Sequence, residues 1–243
     1  MAPARSRSTA PAAPLPVGEE KTARVRSMFD AIAPRYDLIN RLMTFGLDQA
    51  WRRDTLKALA LPTGSRLLDL ACGTGDLSKL ATRQGYRVVG ADLSLGMLAA
   101  NRAAVPLVQS DSTRLPFNEG AFDGLVCGYA LRNFTELAQA FDEMARVVRP
   151  GGRLAILEVD APTSPLLKAG YSVWFDRVVP LIGSALSDRE AYHYLPRSVA
   201  YLPPAPTMRR MLLEAGFSGV GVRPLAGGLS QLIFATRAGL PLP

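Results

Sequence analysis

The stretch Leu67-Leu68-Asp69-Leu70-Ala71-Cys72-Gly73-Thr74-Gly75-Asp76-Leu77 constrains this chain more than any other. A short apolar run breaks into a turn with two glycines, and a helical pattern starts at once. Gly73 and Gly75 can take positive φ and let a ligand come close to the backbone. Short apolar runs recur at Arg66–Leu70, Arg87–Ala91, Val105–Gln109, Phe122–Gly128 and Arg153–Val159, with helical or polar connections between them. Strands alternating with helices predict an α/β fold with a parallel, doubly wound sheet covered on both faces. Near the end, Val220–Leu225 and Gln231–Arg237 flank Gly227-Gly228 and predict a hairpin that adds an antiparallel strand.

The connections are less uniform. A helical cap is expected over 21–60, because Met28, Phe29, Ile32 and then Leu38, Ile39, Leu42, Met43 recur at helical spacing, with breaks near Pro34 and Gly46. Another helix is expected from about Thr135 to Val148, stopped by Pro150-Gly151-Gly152, and another from about Thr207 to Ala215. Residues 1–20, rich in Ala, Pro, Ser and Arg, read as a disordered tail, and 21–243 as a single domain. The insertion 161–206 is too long for a crossover helix. It carries Tyr171, Trp174, Phe175, Tyr192, Tyr194 and Tyr201, which suits a lid over a pocket and equally suits rings that pack the insertion onto the sheet.

Composition narrows the partners. Two cysteines, Cys72 and Cys127, and one histidine, His193, cannot build a Cys/His zinc site, so no metal is expected. Such sparse cysteine use fits a reducing, cytoplasmic setting. The net charge of +7 suits solubility or attraction to an anionic membrane surface. No long Lys/Arg run accompanies it, only pairs such as Arg52-Arg53 and Arg209-Arg210, so nucleic acid is not an expected partner. Leu166 to Leu186 is interrupted by Lys168, Asp176 and Arg177 and is not expected to span a bilayer.

The acidic residues separate two nucleotide chemistries. Asp92, at the end of the second strand, can accept the hydroxyls of an adenosine ribose. A dinucleotide site would need a third small residue where Ser78 stands and bare N–H groups where Asp76 opens the helix. An anion beside a pyrophosphate is unfavourable, whereas S-adenosyl-L-methionine carries a sulfonium and an ammonium and suits Asp69, Asp76, Asp92 and Asp111. Asp76 has a second reading, as a charge favoured by the helix dipole. Ser112 follows the third strand at the adenine side. Gly128-Tyr129-Ala130-Leu131-Arg132-Asn133 ends the fourth strand, which neighbours the first at the topological switch point. Cys72 and Cys127 read as small buried hydrophobes.

Three stretches then resemble a known family. Val25 to Asn40 (VRSMFDAIAPRYDLIN), Ala130-Leu131-Arg132-Asn133 with Val148-Arg149-Pro150-Gly151-Gly152-Arg153-Leu154, and Tyr192-His193-Tyr194-Leu195-Pro196-Arg197-Ser198 look like the signatures of the ubiquinone/menaquinone-biosynthesis C-methyltransferases. The resemblance implies a Rossmann-like, class I S-adenosylmethionine-dependent methyltransferase fold, with a seven-stranded, mostly parallel sheet and a final antiparallel strand. It implies methyl transfer to a ring carbon of a polyprenyl quinol, demethylmenaquinol first among them, with other phenolic acceptors or a non-catalytic cofactor-binding subunit as alternatives. The cofactor contacts expected are Asp69, Gly73, Thr74, Gly75, Asp92, Leu93, Asp111, Ser112 and Gly128. Gly128 is often serine in such relatives, and Gly227 to Leu232 departs from their usual ending.

Arg132 is expected to face a forming phenolate through a polarised water, or else to sit in a structural ion pair. Tyr36 and Asn133 would position the ring or the water. His193 would serve as a general base or as part of the lid. The apolar substrate tail leads to an expected peripheral membrane contact through Leu166–Leu186, at the inner face of the membrane; a homodimer surface is the alternative for the same region.

Overall fold

The computed structural model describes residues 17–44, 46–160 and 198–239. The expectations for 1–16, the Leu166–Leu186 stretch, His193 and most of the lid lie outside the described residues. Seven strands form one sheet: β1 (Arg66–Leu70), β2 (Arg87–Asp92), β3 (Leu107–Gln109), β4 (Phe122–Gly128), β5 (Val148–Val159), β6 (Phe217–Leu225) and β7 (Ser230–Arg237). Their order is β3-β2-β1-β4-β5-β7-β6. The first five pair in parallel, and β7 runs antiparallel to both β5 and β6. The chain reverses its direction of winding between β1 and β4, so a crevice opens beyond their carboxyl ends.

Both faces of the central strands are buried, which is why they read as unbroken apolar runs. Leu68, Leu70, Leu125, Leu154 and Ile156 face one layer, which contains α6 (Leu137–Val147) and α7 (Ala205–Glu214) through Phe141, Met144, Met208 and Leu212. Leu67, Val126, Ala155 and Leu157 face the other, which contains α3 (Asp48–Leu59) and α4 (Asp76–Arg83) through Trp51, Leu56, Leu59, Leu77 and Ala81. Residues one apart on a strand point to opposite faces, so this division follows from the pleat.

The amino-terminal cap is built from α1 (Gly18–Ile32), a tight turn at Ala33–Arg35 and α2 (Tyr36–Met43). Helix α1 starts at Gly18, so its first turn occupies residues read from sequence as tail. Pro34 sits in the first positions of the turn, where its missing N–H costs nothing. A small cluster of Ile32, Ala33 and Met97, flanked by Phe29 and Tyr36, joins the cap to α5 (Leu95–Ala99).

Three strand starts differ from the sequence expectation by more than a residue, β6 opening at Phe217 rather than Val220. β5 begins at Val148, directly after α6, because Val148 pairs with Phe122 before the register shifts over Pro150-Gly151-Gly152. β3 is shorter than expected, starting at Leu107; Pro106 before it has no N–H to give the ladder, and only its carbonyl accepts, from Gly90 N at 2.9 Å.

Candidate active site

A crevice of about 970 Å³, part of it open to solvent, lies beyond β1, β2 and β4. Its floor rests on unusual backbone. Ala71 follows β1 with φ 55°, and Tyr129 follows β4 with φ 61°, both in the left-handed region that costs side-chain-bearing residues energy. Such strain is concentrated where a fold holds a ligand. Gly73 and Gly75 take φ 52° and 89°. Gly75 closes the turn as the N-cap of α4, and a Cβ there would collide with the Asn101 side chain.

Asp92 organises the turn. One carboxylate oxygen accepts Gly73 N at 2.8 Å and the other accepts Ser94 N at 2.9 Å. Burial pushes its pKa up, and the N–H donors from Ser94, Gly73 and Leu93 hold it back. Each oxygen keeps a further lone pair for a ligand hydroxyl. Asp69 lies beneath, 1% exposed, with Ser78 Oγ donating to it at 2.6 Å. Burial drives its pKa to about 6, against the pull of Ser78 and the Arg52 charge.

The cap clamps both loops. Asp30 Oδ1 accepts Ser94 Oγ at 2.5 Å and Gly96 N at 2.8 Å, holding the first turn of α5. Thr74 Oγ1 donates to Asp37, whose other oxygen lies 3.6 Å from Arg102 Nη1. On the far side, α3 contributes a charged group. Gln49 Nε2 donates to Asp76 Oδ2 and to Asp48 Oδ2, each at 3.0 Å, and Arg52 Nε reaches Asp48 Oδ2 at 3.4 Å.

Most residues singled out from sequence meet here. Tyr36, Asp69, Gly73, Thr74, Asp92, Leu93, Asp111, Ser112, Gly128 and Asn133 all line the crevice. Gly75 does not; it turns the chain behind the wall. Arg132 stands behind the wall as well. It is 5% exposed and absent from the lining, and its Nη1 donates to Glu158 Oε1 at 2.6 Å and to the Tyr129 carbonyl at 2.8 Å. The ion pair expected as one of its two roles is present, because fully buried Glu158 on β5 offers an acceptor beside the turn. Both cysteines are free and buried, and burial pushes both thiols well up, which suits inert packing.

Sequence reasoning passed over Arg52, Asp48, Gln49, Glu158 and Tyr129. Its signal for α3 was available: Asp48 and Arg52 stand on the same helical stripe as Trp51, Thr55, Leu56 and Leu59, all buried. The segment that departs from the family ending also reaches the floor. Ser230 Oγ lies 3.5 Å from the Tyr129 hydroxyl, and Gln231 stands in register opposite Glu158. Gln231 Oε1 is buried without a partner among the described residues.

The donor set fits a cationic nucleoside. Four carboxylates, Asp69, Asp76, Asp92 and Asp111, line the crevice against one buried guanidinium, Arg52. Ser110 Oγ, on the wall beside Asp111, is a buried hydroxyl with no partner among the described residues, an open polar contact for a ligand edge. Residues 17–237 match the model of the ubiE/COQ5 methyltransferase family. This chain belongs to that family.

The family's relatives agree. A demethylmenaquinone methyltransferase of Corynebacterium kroppenstedtii is 41% identical over 221 residues, 90% of this chain and 96% of that protein. Among solved structures, the cyclase SpnF superposes with a TM-score of 0.65 at 16% identity, covering 93% of this chain and 99% of that one. The Haemonchus contortus phosphoethanolamine N-methyltransferase 2, solved with S-adenosyl-L-methionine, gives 0.57 at 17% identity, covering 78% and 53%. Those structures speak to fold alone; one is named a cyclase, so the reaction has to be argued from the site. As a ubiE/COQ5-family methyltransferase, this enzyme uses S-adenosyl-L-methionine.

Proposed function

We propose that this enzyme methylates a ring carbon of a polyprenyl quinol, demethylmenaquinol giving menaquinol. The observation that carries the reading is the near full-length relationship to demethylmenaquinone methyltransferases, with Tyr36 and Asn133 both on the wall of the crevice. The bound cofactor supplies an electrophilic methyl group. In this reading Asp92 takes the ribose, Asp111 and Ser112 take the adenine side, and Gly73, Thr74, Leu93 and Gly128 shape the wall around them.

A quinol carbon becomes nucleophilic when a neighbouring hydroxyl loses its proton. Tyr36 and Asn133 hold the ring or a water in line, and alignment of this kind can supply much of the acceleration. Arg132 acts as a positioning residue. Its pair with Glu158 fixes the Leu131–Asn133 turn. Val25, Phe29, Met97 and Phe134 give the crevice apolar walls that keep water from the reacting centre.

The membrane side of the reading rests on the substrate, whose tail resides in a bilayer. No helix among the described residues is long and apolar enough to cross one. Our reading is a cytoplasmic enzyme that meets its substrate by peripheral contact at the inner membrane face, aided by its net charge of +7. Co-sedimentation with vesicles should rise with anionic lipid content and fall with salt; equal pelleting with neutral vesicles would remove the electrostatic part.

The decisive experiment supplies methyl-labelled cofactor and a reduced short-chain demethylmenaquinol to the purified protein. Label should appear on the ring carbon. Label on oxygen, or turnover confined to unprenylated phenols, would overturn the assignment.

A further inference from the structure

Two cations line the crevice among the described residues: Arg26 is exposed, whereas Arg52 is buried. Burial opposes a charged guanidinium, yet the negative charge of Asp76, joined by that of Asp48, offsets it and keeps Arg52 protonated. Its contacts are lopsided. Only Nε engages protein acceptors, 3.4 Å from Asp48 Oδ2 and 4.0 Å from Asp76 Oδ2. One face of the guanidinium lies 5.6 Å from the centre of the Tyr129 ring. The two terminal nitrogens meet no acceptor among the described residues, although the side chain is only 7% exposed.

Position makes that end of the guanidinium significant. A Cβ on Gly128 would stand 3.4 Å from Arg52 Nη1 and 2.8 Å from Leu77 Cδ1. The fork therefore ends beside the carboxyl end of β4, on the wall of the crevice. Glycine at 128 leaves that space open. On the neighbouring strand, buried Asp69 is the complementary charge.

We propose that Arg52 binds the α-carboxylate of the cofactor's methionyl group, while Asp69 serves its ammonium. This rests on S-adenosyl-L-methionine being the ligand. A planar fork with two parallel N–H donors matches a carboxylate, and in a site walled from water such a pair is stronger than at a surface. Asp48 and Asp76 then have a defined task. They hold Nε so that the terminal nitrogens point at the ligand, much as a carboxylate orients a catalytic imidazole.

The test uses two ligands: S-adenosylhomocysteine and its decarboxylated analogue, which keeps the amine. Calorimetric titration of the parent should favour the carboxylate-bearing ligand at least tenfold. Arg52→Gln should erase that preference by weakening S-adenosylhomocysteine alone, leaving the analogue within about twofold of the parent value. Arg52→Lys should keep part of the preference. The proposal is overturned if the parent binds both ligands equally, or if Arg52→Gln weakens both alike, as loss of a purely structural residue would. Circular dichroism checks that the variants fold; should Arg52→Gln not fold, the parent pair and Arg52→Lys decide the matter. A parent that binds neither ligand would refute the cofactor reading itself, a separate result from the loss of discrimination.

Discussion

Asp69 is buried against its own charge, and that gives a prediction with an unusual sign. Its pKa stands at about 6 in the folded protein, above the ordinary 3.8, with burial as the main cause. A group displaced upward stabilises the fold below its unfolded pKa, and that contribution is lost as pH rises through the folded value. The displacement corresponds to about 3 kcal/mol at 1.36 kcal/mol per pH unit. Replacing Asp69 by Asn keeps an acceptor for Ser78 Oγ but removes the charge. Urea denaturation of the ligand-free variant should therefore show it to be more stable than the parent by up to about 3 kcal/mol at pH 8, and by about half as much at pH 5. The gain comes at the cofactor's expense. Saturating S-adenosylhomocysteine should stabilise the parent by about 2.7 kcal/mol at 100 times its Kd, and the variant should lose most of that shift. A variant less stable than the parent at pH 8, or one whose difference does not change between pH 5 and pH 8, would refute the account of Asp69 as a strained, ligand-directed carboxylate.

Three further outcomes follow from contacts already described. Asp92→Asn deprives Gly73 N or Ser94 N of its charged acceptor and should weaken cofactor binding tenfold or more, since such bonds are worth about 1.5–3 kcal/mol; titration calorimetry reads it directly. Arg132→Ala leaves Glu158 buried without its partner and should cost about 3–5 kcal/mol, whereas removing both charges should cost clearly less than the sum of the single changes, as a double-mutant cycle in urea would measure. Gly75→Ala forces a left-handed residue against Asn101 and should cost at least about 1–2 kcal/mol, with a fall in cofactor affinity that Gly64→Ala, also at positive φ but with open space around it, should not share.

The limits of β1 and β4 could be read closely from sequence because both strands are buried on both faces and end in polar or glycine-containing turns. β5 could not, since Pro150-Gly151-Gly152 looks like a terminator while the sheet absorbs it with a shift of register. At the site, the glycine turn and the acidic strand ends announced themselves through local chemistry. Arg52 did not, because its meaning depends on where α3 lies against the sheet. In sequence Arg52-Arg53 is merely a basic pair; in the fold Arg52 turns inward and Arg53 outward. The partner of Arg132 could not be named from sequence for the same reason, Glu158 being twenty-six residues away on another strand.

The two aspartates of the amino-terminal cap reach over the nucleoside crevice and fasten to opposite sides of it, Asp30 to α5 and Asp37 to Thr74. The cap and the cofactor loops are therefore one hydrogen-bonded unit, so a change at Asp30 or Asp37 is felt at the first turn of α5 or at Thr74 without either aspartate lining the crevice.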